Sequence, residues 1–263
     1  MKQQPTFVKR LGEKMDLGGK VAIVTGGARD IGRAISVRLA QSGATVVVNY
    51  RNDPKNANET VKQIEDSGGK AIAIAADVTQ AAEVEKLVRQ AVEQCGPVHI
   101  LVNNAGGLVA RKKMHEMDES FWDYVIDLNL KSTWLMTKFV LPQMVNGGAI
   151  VNVSSQAGRD GGGPGSLAYA TAKGAIITFT RGLAKELGPR KVRVNSVCPG
   201  MINTLFHDTF TAPEVRERVA ASTPVGREGE ACEVANLVAF LASDASSFVN
   251  GANIDINGGT SFS

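Results

Sequence analysis

The chain has 263 residues, of which 43% are hydrophobic and 21% are charged, proportions close to those of ordinary globular proteins. Its formal net charge of +3, from 29 basic and 26 acidic residues, is too small an excess to favour nucleic-acid binding. The sequence holds no apolar run near the roughly 20 residues that a membrane span needs, and its three cysteines form neither a disulfide framework nor a metal-binding pair. We therefore expect a soluble, cytoplasmic protein with no nucleic-acid, membrane or metal partner.

Short apolar runs rich in β-branched residues alternate with helical segments from Lys20 to the end of the chain. We expect residues 1–18, which are polar and aperiodic, to form an extension on the surface or at an interface. The predicted strands span residues 21–26, 44–49, 71–76, 98–103, 149–155, 192–200 and 252–256. The predicted helices span residues 31–42, 55–67, 80–95, 119–145, 167–187 and 230–242.

Most of these strands are nearly continuous in apolar character, as expected of strands buried on both faces of a parallel sheet. Regular alternation of strands and helices predicts one α/β domain over residues 19–263, a Rossmann-type doubly wound parallel sheet with helices on both faces. Such sheets bind ligands at the carboxyl ends of their strands, where the strand order reverses. The loops that follow the strands are therefore the candidate binding segments.

A glycine-rich turn, TGGARDIG at residues 25–32, joins the first strand to the first helix. Glycines let the backbone approach a pyrophosphate, and a helix N-terminus offers free N–H groups and a partial positive charge. The turn predicts dinucleotide contacts from residues along it, namely Gly26, Arg29, Asp30, Ile31 and Gly32. The Asp30 carboxylate would repel a pyrophosphate, so we expect it to cap the helix, with Arg29 offsetting its charge.

The end of the second strand carries Tyr50 and Arg51, both expected to contact the cofactor. NAD-selective sites usually place an acid here for the ribose 2′-hydroxyl, whereas an arginine suits a 2′-phosphate. Arg29 extends from the glycine turn toward the same ribose. These cations predict a preference for NADP(H), although Asp53 nearby keeps NAD(H) open as the alternative.

Small and polar residues follow the third and fourth strands. Asp77, which precedes Val78, is placed to accept a hydrogen bond from the adenine amine, although a helix-capping aspartate would look the same. Asn104, Ala105 and Gly106 follow the fourth strand, where amides and small side chains can border the cofactor. We expect all five residues to line the nucleotide site.

The most informative stretch runs from the fifth strand into the next helix. Ser154 and Ser155 end the strand, and Tyr169 and Lys173 lie one turn apart on one helical face. A free tyrosine has a pKa near about 10, and an ammonium one turn away is expected to lower it. Such a phenol can protonate a nascent alkoxide, or deprotonate an alcohol in reverse, while Ser155 bonds the substrate oxygen.

Together these motifs resemble the short-chain dehydrogenase/reductase family over about residues 18–260. The matching pieces are TGGARDIG, NNAG, Asn129 in LNLKS, Ser155, the YxxxK of Tyr169 and Lys173, and PGMINT at 199–204. The family's middle glycine in the first motif is replaced here by Asp30, which puts the affinity for the cofactor in question.

The resemblance implies a catalytic set of Asn129, Ser155, Tyr169 and Lys173. Tyr169 would be the general acid–base, Ser155 would polarise the carbonyl, and Lys173 would lower the pKa of the tyrosine and hold the nicotinamide ribose. Asn129 would bend its helix and carry a water in a proton relay. The residues expected to flank the nicotinamide are Pro199, Gly200, Ile202 and Thr204. The resemblance also implies a homotetramer.

Within the family, the chain is similar to 3-oxoacyl-[acyl-carrier-protein] reductases and to sugar dehydrogenases. Reductases that dock the acidic carrier protein tend to carry basic residues just before the fifth strand. Residues 141–149 contain no Lys or Arg, although Arg190 and Lys191 could supply half of such a patch. The carrier-protein reductase activity therefore stands as the alternative.

We expect a small polar substrate, such as a keto sugar or sugar acid. Arg111 brings a cation to the mouth of the site, and Gln156 and His207 are further candidate contacts, together with Ser155. Residues 203–222 are predicted to form a mobile lid. A non-catalytic dinucleotide sensor on the same fold is a remote alternative. Such proteins typically lose the tyrosine or the lysine, whereas this chain keeps both.

Overall fold

Seven parallel strands form the centre of the fold in the computed structural model, which describes residues 15–262. They are β1 (Val21–Val24), β2 (Thr45–Tyr50), β3 (Lys70–Ala75), β4 (Val98–Asn103), β5 (Met144–Val153), β6 (Arg193–Pro199) and β9 (Asn253–Ile256). Two short strands, β7 (Ile202–Asn203) and β8 (Gly229–Glu230), pair separately beside the sheet. The strand order β3-β2-β1-β4-β5-β6-β9 is that of a Rossmann-type sheet and confirms the predicted fold class.

The helices connect the strands in chain order. They are α1 (Asp30–Gln41), α2 (Pro54–Asp66), α3 (Ala81–Cys95), α4 (Glu119–Ile126), α5 (Ser132–Val140), α6 (Ala157–Asp160), α7 (Leu167–Glu186), α8 (Leu205–Phe210), α9 (Pro213–Ser222) and α10 (Ala231–Ala242). A five-residue π-helical segment, Asp127–Lys131, joins α4 to α5. The strand order reverses between β1 and β4, so a crevice opens there at the carboxyl ends of the strands.

Two apolar cores flank the sheet. On one face, α1, α2 and α10 pack side chains such as Ile35, Ile64 and Val238 against the sheet. On the other face, α3, α5 and α7 contribute side chains such as Leu87 and Met136. Burying each large aliphatic side chain stabilises the fold by about 1.5–3 kcal/mol, so the sheet is a rigid base for the loops at its edge.

One predicted helix, residues 119–145, is wrong in its extent. The structure divides it into α4, the π-helical segment and α5, and the chain enters β5 at Met144. Pro142 explains the early end, because a proline has no N–H for the helical hydrogen bond. The fifth strand correspondingly begins before residue 149 and ends at Val153, so Ser154 and Ser155 lie just beyond the strand.

Most of the predicted N-terminal extension, residues 1–14, lies outside the described residues. At its far end Leu17 is fully buried, and its N–H donates to the Ser42 carbonyl oxygen over 2.7 Å. The packed domain therefore includes Leu17. Among residues 15–262, no helix combines the length and the apolar character that crossing a membrane requires.

Candidate active site

A cleft of about 880 Å³ lies over the point where the strand order reverses. It is lined by every residue expected to bind the cofactor, namely Gly26, Arg29, Asp30, Ile31, Gly32, Tyr50, Arg51, Asp77, Val78, Asn104, Ala105, Gly106, Tyr169, Lys173, Pro199, Gly200, Ile202 and Thr204. The four candidate substrate residues, Arg111, Ser155, Gln156 and His207, line the same cleft. The cleft thus holds both predicted sets, with residues of the lid on one side.

The glycine turn forms a tight cradle between β1 and α1. A Cβ added to Gly32 would lie 2.0 Å from the Gly26 carbonyl oxygen and 2.7 Å from Asn104 Nδ2, so no other residue fits. The Asn104 amide donates to the carbonyl oxygens of Thr25 and Gly26, and Thr25 Oγ1 accepts the N–H groups of Asn104 and Ala105. The N-cap residue of α1, Arg29, makes no side-chain hydrogen bond to the first turn, which suits a pyrophosphate site. The cradle therefore fits a dinucleotide.

Asp30 does not cap α1, contrary to our expectation. It is the first residue of the helix, with a φ of +51°, and its carboxylate points across to the lid. There Oδ1 accepts the backbone N–H of Leu205 over 3.1 Å. Arg29 Nε lies 3.7 Å from Asp30 Oδ2, so the arginine does partly offset the charge. A cap must precede the helix, and Asp30 lies one residue too late to act as one.

The side chains of Arg51 and Asp53 differ in how many of their hydrogen-bonding groups are already engaged within the protein. Arg51 Nη1 donates to the Tyr124 hydroxyl over 2.9 Å, and the side chain is half exposed in the cleft. The Asp53 carboxylate caps α2, accepting the N–H of Asn56 over 3.0 Å and its side-chain amide over 2.6 Å. These hydrogen bonds lower the pKa of Asp53. Asp53, the acidic residue that left NAD(H) as the alternative cofactor, therefore serves as the N-cap of α2.

Asp77 closes the turn after β3. Its Oδ1 accepts the N–H and the hydroxyl of Thr79, over 2.9 and 2.7 Å. Its Oδ2 lies 4.0 Å from Arg51 Nη1. The helix α3 itself begins after Gln80, so Asp77 shapes the preceding turn and does not cap the helix.

The predicted catalytic side chains converge at the end of β5. The Lys173 side chain is buried, its Nζ donates to the Val153 carbonyl oxygen over 2.7 Å, and it lies 5.7 Å from the centre of the Tyr169 ring. Ser154 Oγ donates to the Lys173 carbonyl oxygen, so this serine has a packing role. Ser155 instead lies beside the Tyr169 phenol, whose pKa it influences, and its Oγ accepts the N–H of Ala157. The geometry favours Ser155 over Ser154 as the substrate-facing serine.

The pKa values of the pair differ from the expected pattern. Burial lowers the pKa of Lys173 to about 8. Burial also raises the pKa of Tyr169 above its ordinary value, and the neighbouring Ser155 hydroxyl acts in the opposite direction. The pKa of Tyr169 therefore does not fall as expected, because loss of water outweighs the effect of Ser155. The Lys173 ammonium is engaged by the Val153 carbonyl oxygen.

Asn129 lies behind the cleft, in the π-helical segment. Its Oδ1 accepts the N–H of Gly107 over 3.0 Å, and its Nδ2 donates to the carbonyl oxygens of Gly107 and Val125, each over 2.9 Å. A Cβ on Gly106 would lie 2.6 Å from Asn129 Oδ1 and 3.1 Å from Lys173 Nζ. Asn129 therefore lies where its helix is interrupted, and it holds the loop after β4 close to the lysine.

The candidate substrate residues stand at the mouth of the cleft. Arg111 Nε donates to the Phe210 carbonyl oxygen over 2.9 Å, and its Nη1 donates to that of Pro164 over 3.0 Å. Gln156 Nε2 donates to Asp160 Oδ2 over 3.0 Å. Arg111 thus joins the lid to the glycine-rich loop before α7.

The predicted lid, residues 203–222, contains α8 and α9. His207 Nδ1 lies 3.0 Å from Thr211 Oγ1, and burial lowers the pKa of this histidine. The Phe206 ring lies 6.1 Å from the Tyr169 ring and 5.2 Å from the Phe210 ring, measured between centroids. An aromatic group therefore covers the predicted acid–base.

Sequence reasoning missed two residues of the site, Asn49 and Tyr124. Asn49 is buried, its Oδ1 accepts the Gly26 N–H over 3.3 Å, and a polar residue ending an apolar strand was the available signal. Tyr124 gave no signal, because nothing in its own segment marks its contact with the residue after β2.

Known proteins match the chain over nearly its whole length. A family model described as enoyl-(acyl carrier protein) reductase matches residues 26–261. A 3-oxoacyl-[acyl-carrier-protein] reductase of Staphylococcus aureus is 39% identical over 91% of this chain and 97% of its own length. An uncharacterized oxidoreductase of Methylorubrum extorquens is 41% identical, over 92% of this chain and 98% of its own.

Solved structures agree with these sequence matches. A short-chain dehydrogenase/reductase from Serratia marcescens is similar with a TM-score of 0.89 at 35% identity, covering 94% of this chain and 99% of its own. A blue fluorescent protein from a metagenomic library, in complex with NADPH, gives 0.87 at 36% identity, covering 94% and 100%. Taken with the cleft, these similarities mean that the chain belongs to the short-chain dehydrogenase/reductase family and is an NAD(P)-dependent oxidoreductase.

Proposed function

We propose that this enzyme uses NADP(H) to interconvert a carbonyl and an alcohol on a small polar substrate, such as a keto sugar or sugar acid. The observation that carries the proposal is that Ser155, Tyr169 and Lys173 line the same cleft as Arg51. The first three residues are the groups needed to transfer a proton to or from a carbonyl oxygen. The fourth is a cation suited to a 2′-phosphate.

The glycine cradle would hold the pyrophosphate, and Lys173 would hold the nicotinamide ribose. The nicotinamide, when bound, supplies or accepts a hydride. Preference for NADP(H) is supported by the N–H groups of Arg51 that Tyr124 does not use, and by the commitment of Asp53 to the α2 cap. The NADPH complex of a structural relative agrees with this preference.

In the reducing direction, Tyr169 donates its proton to the substrate oxygen as negative charge develops there. Its raised pKa keeps the phenol protonated at neutral pH, which is the state that a proton donor needs. Ser155, which lies beside Tyr169, donates a hydrogen bond to the same oxygen, and Lys173 stabilises the phenolate left behind. In the oxidising direction the phenolate takes the proton back from the alcohol. Asn129 acts through the Gly107 loop, which it holds in place.

A polar substrate is supported by the groups at the mouth of the cleft. Arg111 and the half-buried His207 lie on the lid side, and the lowered pKa of His207 leaves a neutral imidazole that can donate or accept a hydrogen bond. Gln156 lines the same cleft. Hydroxyl and carboxylate groups of a sugar acid match these partners.

A second candidate is reduction of a 3-oxoacyl thioester on the acyl carrier protein, favoured by the Staphylococcus aureus relative. The charge pattern disfavours it. Arg190, which with Lys191 was expected to supply half of a carrier-binding patch, donates to the carbonyl oxygens of Leu141 and Met144 and to Asn146 Oδ1. Its guanidinium is thus bound to its own domain.

The test is a panel of keto sugars, keto acids and a 3-oxoacyl thioester, each assayed with NADPH and with NADH by the absorbance of the reduced nicotinamide. We expect turnover of a polar carbonyl compound with NADPH, and little with the thioester. Fast turnover of the thioester alone would establish the second candidate. Absence of NADPH and NADH binding altogether would overturn both.

The cofactor preference has its own test in Arg51→Gln. Loss of a charge-assisted contact to the 2′-phosphate is expected to raise the KM for NADPH by about 10- to 100-fold, and to leave that for NADH nearly unchanged. Lys62→Gln, an exposed lysine on α2, is the matched control. An equal loss with both cofactors would show that Arg51 does not read the 2′-phosphate.

We also propose a homotetramer. Support comes from large apolar side chains left at the surface, among them Phe248, which is fully exposed, and Trp134 on α5. Light scattering coupled to size-exclusion chromatography would give the mass, and a monomer across micromolar concentrations would contradict the proposal.

A further inference from the structure

Asp30 occupies a position where a side chain is costly. Its φ of +51° lies in the left-handed region, which glycine adopts freely and which aspartate and asparagine tolerate better than other residues. The residue also lines the part of the cleft that would receive the pyrophosphate. A residue that costs backbone energy and carries a repulsive charge at an anion site needs a compensating role.

The contact of its carboxylate indicates that role. Asp30 Oδ1 accepts the backbone N–H of Leu205, the first residue of α8, over 3.1 Å. Thr204, which precedes it, gives α8 no side-chain cap. The hydrogen bond therefore joins the glycine turn directly to the lid, between two segments 175 residues apart in the chain.

The lid residue next to that contact is Phe206. Its ring lies 6.1 Å from the Tyr169 ring, so the position of α8 determines how the catalytic phenol is covered. A group that fixes Leu205 also fixes the wall of the substrate pocket beside Tyr169.

We propose that Asp30 is a positioning residue with two linked effects, and the proposal rests on the dinucleotide binding proposed above. Its oxygen holds the start of the lid over the substrate pocket, while its charge weakens binding of the anionic cofactor. Arg29, at 3.7 Å, reduces that charge effect but does not remove the lid contact. Asp30 thus weakens cofactor binding and at the same time positions the lid.

Two substitutions separate the two effects. Asp30→Asn keeps an acceptor oxygen and tolerance of positive φ but removes the charge, whereas Asp30→Gly removes both charge and acceptor. We expect both variants to bind NADPH about fivefold more tightly, with the gain shrinking at about 1 M salt, where the Debye length is about 3 Å. Only Asp30→Gly is expected to raise the KM for the carbonyl substrate, by about tenfold.

The lid side offers an independent test. Leu205→Pro removes the donated N–H, and a proline is tolerated at the first position of a helix. Leu205→Ala removes the same side chain but keeps the N–H, so the difference between the two variants isolates the hydrogen bond. We expect the proline variant to have a higher KM for the carbonyl substrate than the alanine variant, and the same affinity for NADPH.

The readouts are NADPH titration by fluorescence, steady-state kinetics and thermal unfolding of each protein. Unchanged NADPH affinity in Asp30→Asn would overturn the charge effect. Equal substrate KM values for Asp30→Asn and Asp30→Gly, or for the two Leu205 variants, would overturn the lid effect. A wild-type protein that binds no dinucleotide would instead contradict the proposed function, so the two failures are distinct.

Discussion

The floor and the lid of the cleft are held by different kinds of interaction. On the floor, Lys173 bonds the Val153 carbonyl oxygen, and Asn129 bonds the backbone of Gly107. The lid is held mainly by charged side chains, among them Arg216, which bonds Glu228, Asp208 and Asn203.

This difference matters for what each region can do. Buried hydrogen bonds to the backbone of a packed sheet are insensitive to salt and fix side chains closely. An ion pair with an exposed carboxylate, such as that of Arg216 with Asp208, contributes less and breaks more easily, which suits a segment that must let ligands pass. We therefore expect changes in the floor to reduce kcat, and changes in the lid to alter KM.

The largest expected effect is on the floor. Tyr169→Phe removes the proton donor and should reduce kcat by about 10³-fold, measured as NADPH oxidation with the best substrate of the panel. Thr171→Ala, an exposed position on the same helix, serves as the control. A loss smaller than tenfold would mean that another group supplies the proton.

The buried lysine predicts a pH dependence of stability. Folded protein releases the Lys173 proton near pH 8, whereas the unfolded chain keeps it until about pH 10.5. Between these values the unfolded state binds more protons, so the free energy of unfolding rises with pH, by about 3 kcal/mol in total. Lys173→Met should lack this rise. Parallel urea-unfolding results for the two proteins across that range would refute the assignment.

A methyl group added beside Asn129 and Lys173 should reduce the activity without unfolding the protein. Gly106→Ala places a carbon against Asn129 Oδ1 and Lys173 Nζ, and should lower kcat by about 10- to 100-fold through misplacement of these groups. The matched control is Gly107→Ala, where a Cβ would meet nothing within 4 Å. Similar kcat values for the two variants would indicate that the loop adjusts freely.

The smallest effect is expected in the lid. Arg216→Gln removes the ion pairs with Glu228 and Asp208, and should raise the KM for the carbonyl substrate about threefold with kcat within about twofold. Arg218→Gln, exposed on the same helix, is the comparison. A large fall in kcat would show that the floor depends on the lid.

The sequence was sufficient where function depends on local pattern. Apolar strand runs predicted all seven strands of the main sheet, because a strand buried on both faces leaves a continuous signal. The motif residues around Tyr169 and Lys173 marked the cleft, since their spacing on one helix fixes their common face.

The sequence was insufficient for prediction where a residue acts through a partner that is distant in the chain. Aspartate is a common N-cap residue, so the sequence predicted that Asp30 would cap α1. Only the folded chain brings the Leu205 N–H to its carboxylate. The pKa of Tyr169 likewise depends on burial, which spacing on a helix does not reveal.

The mutual bonding of Thr25 and Asn104 has a consequence for how the enzyme meets its cofactor. Two hydrogen bonds between these residues, with one from Asn104 to Gly26 and one from Ala105 to Thr25, join the loops after β1 and β4 on either side of the crevice. The width of the crevice is then set during folding, so a dinucleotide meets a preorganised groove and little binding energy is spent on ordering it.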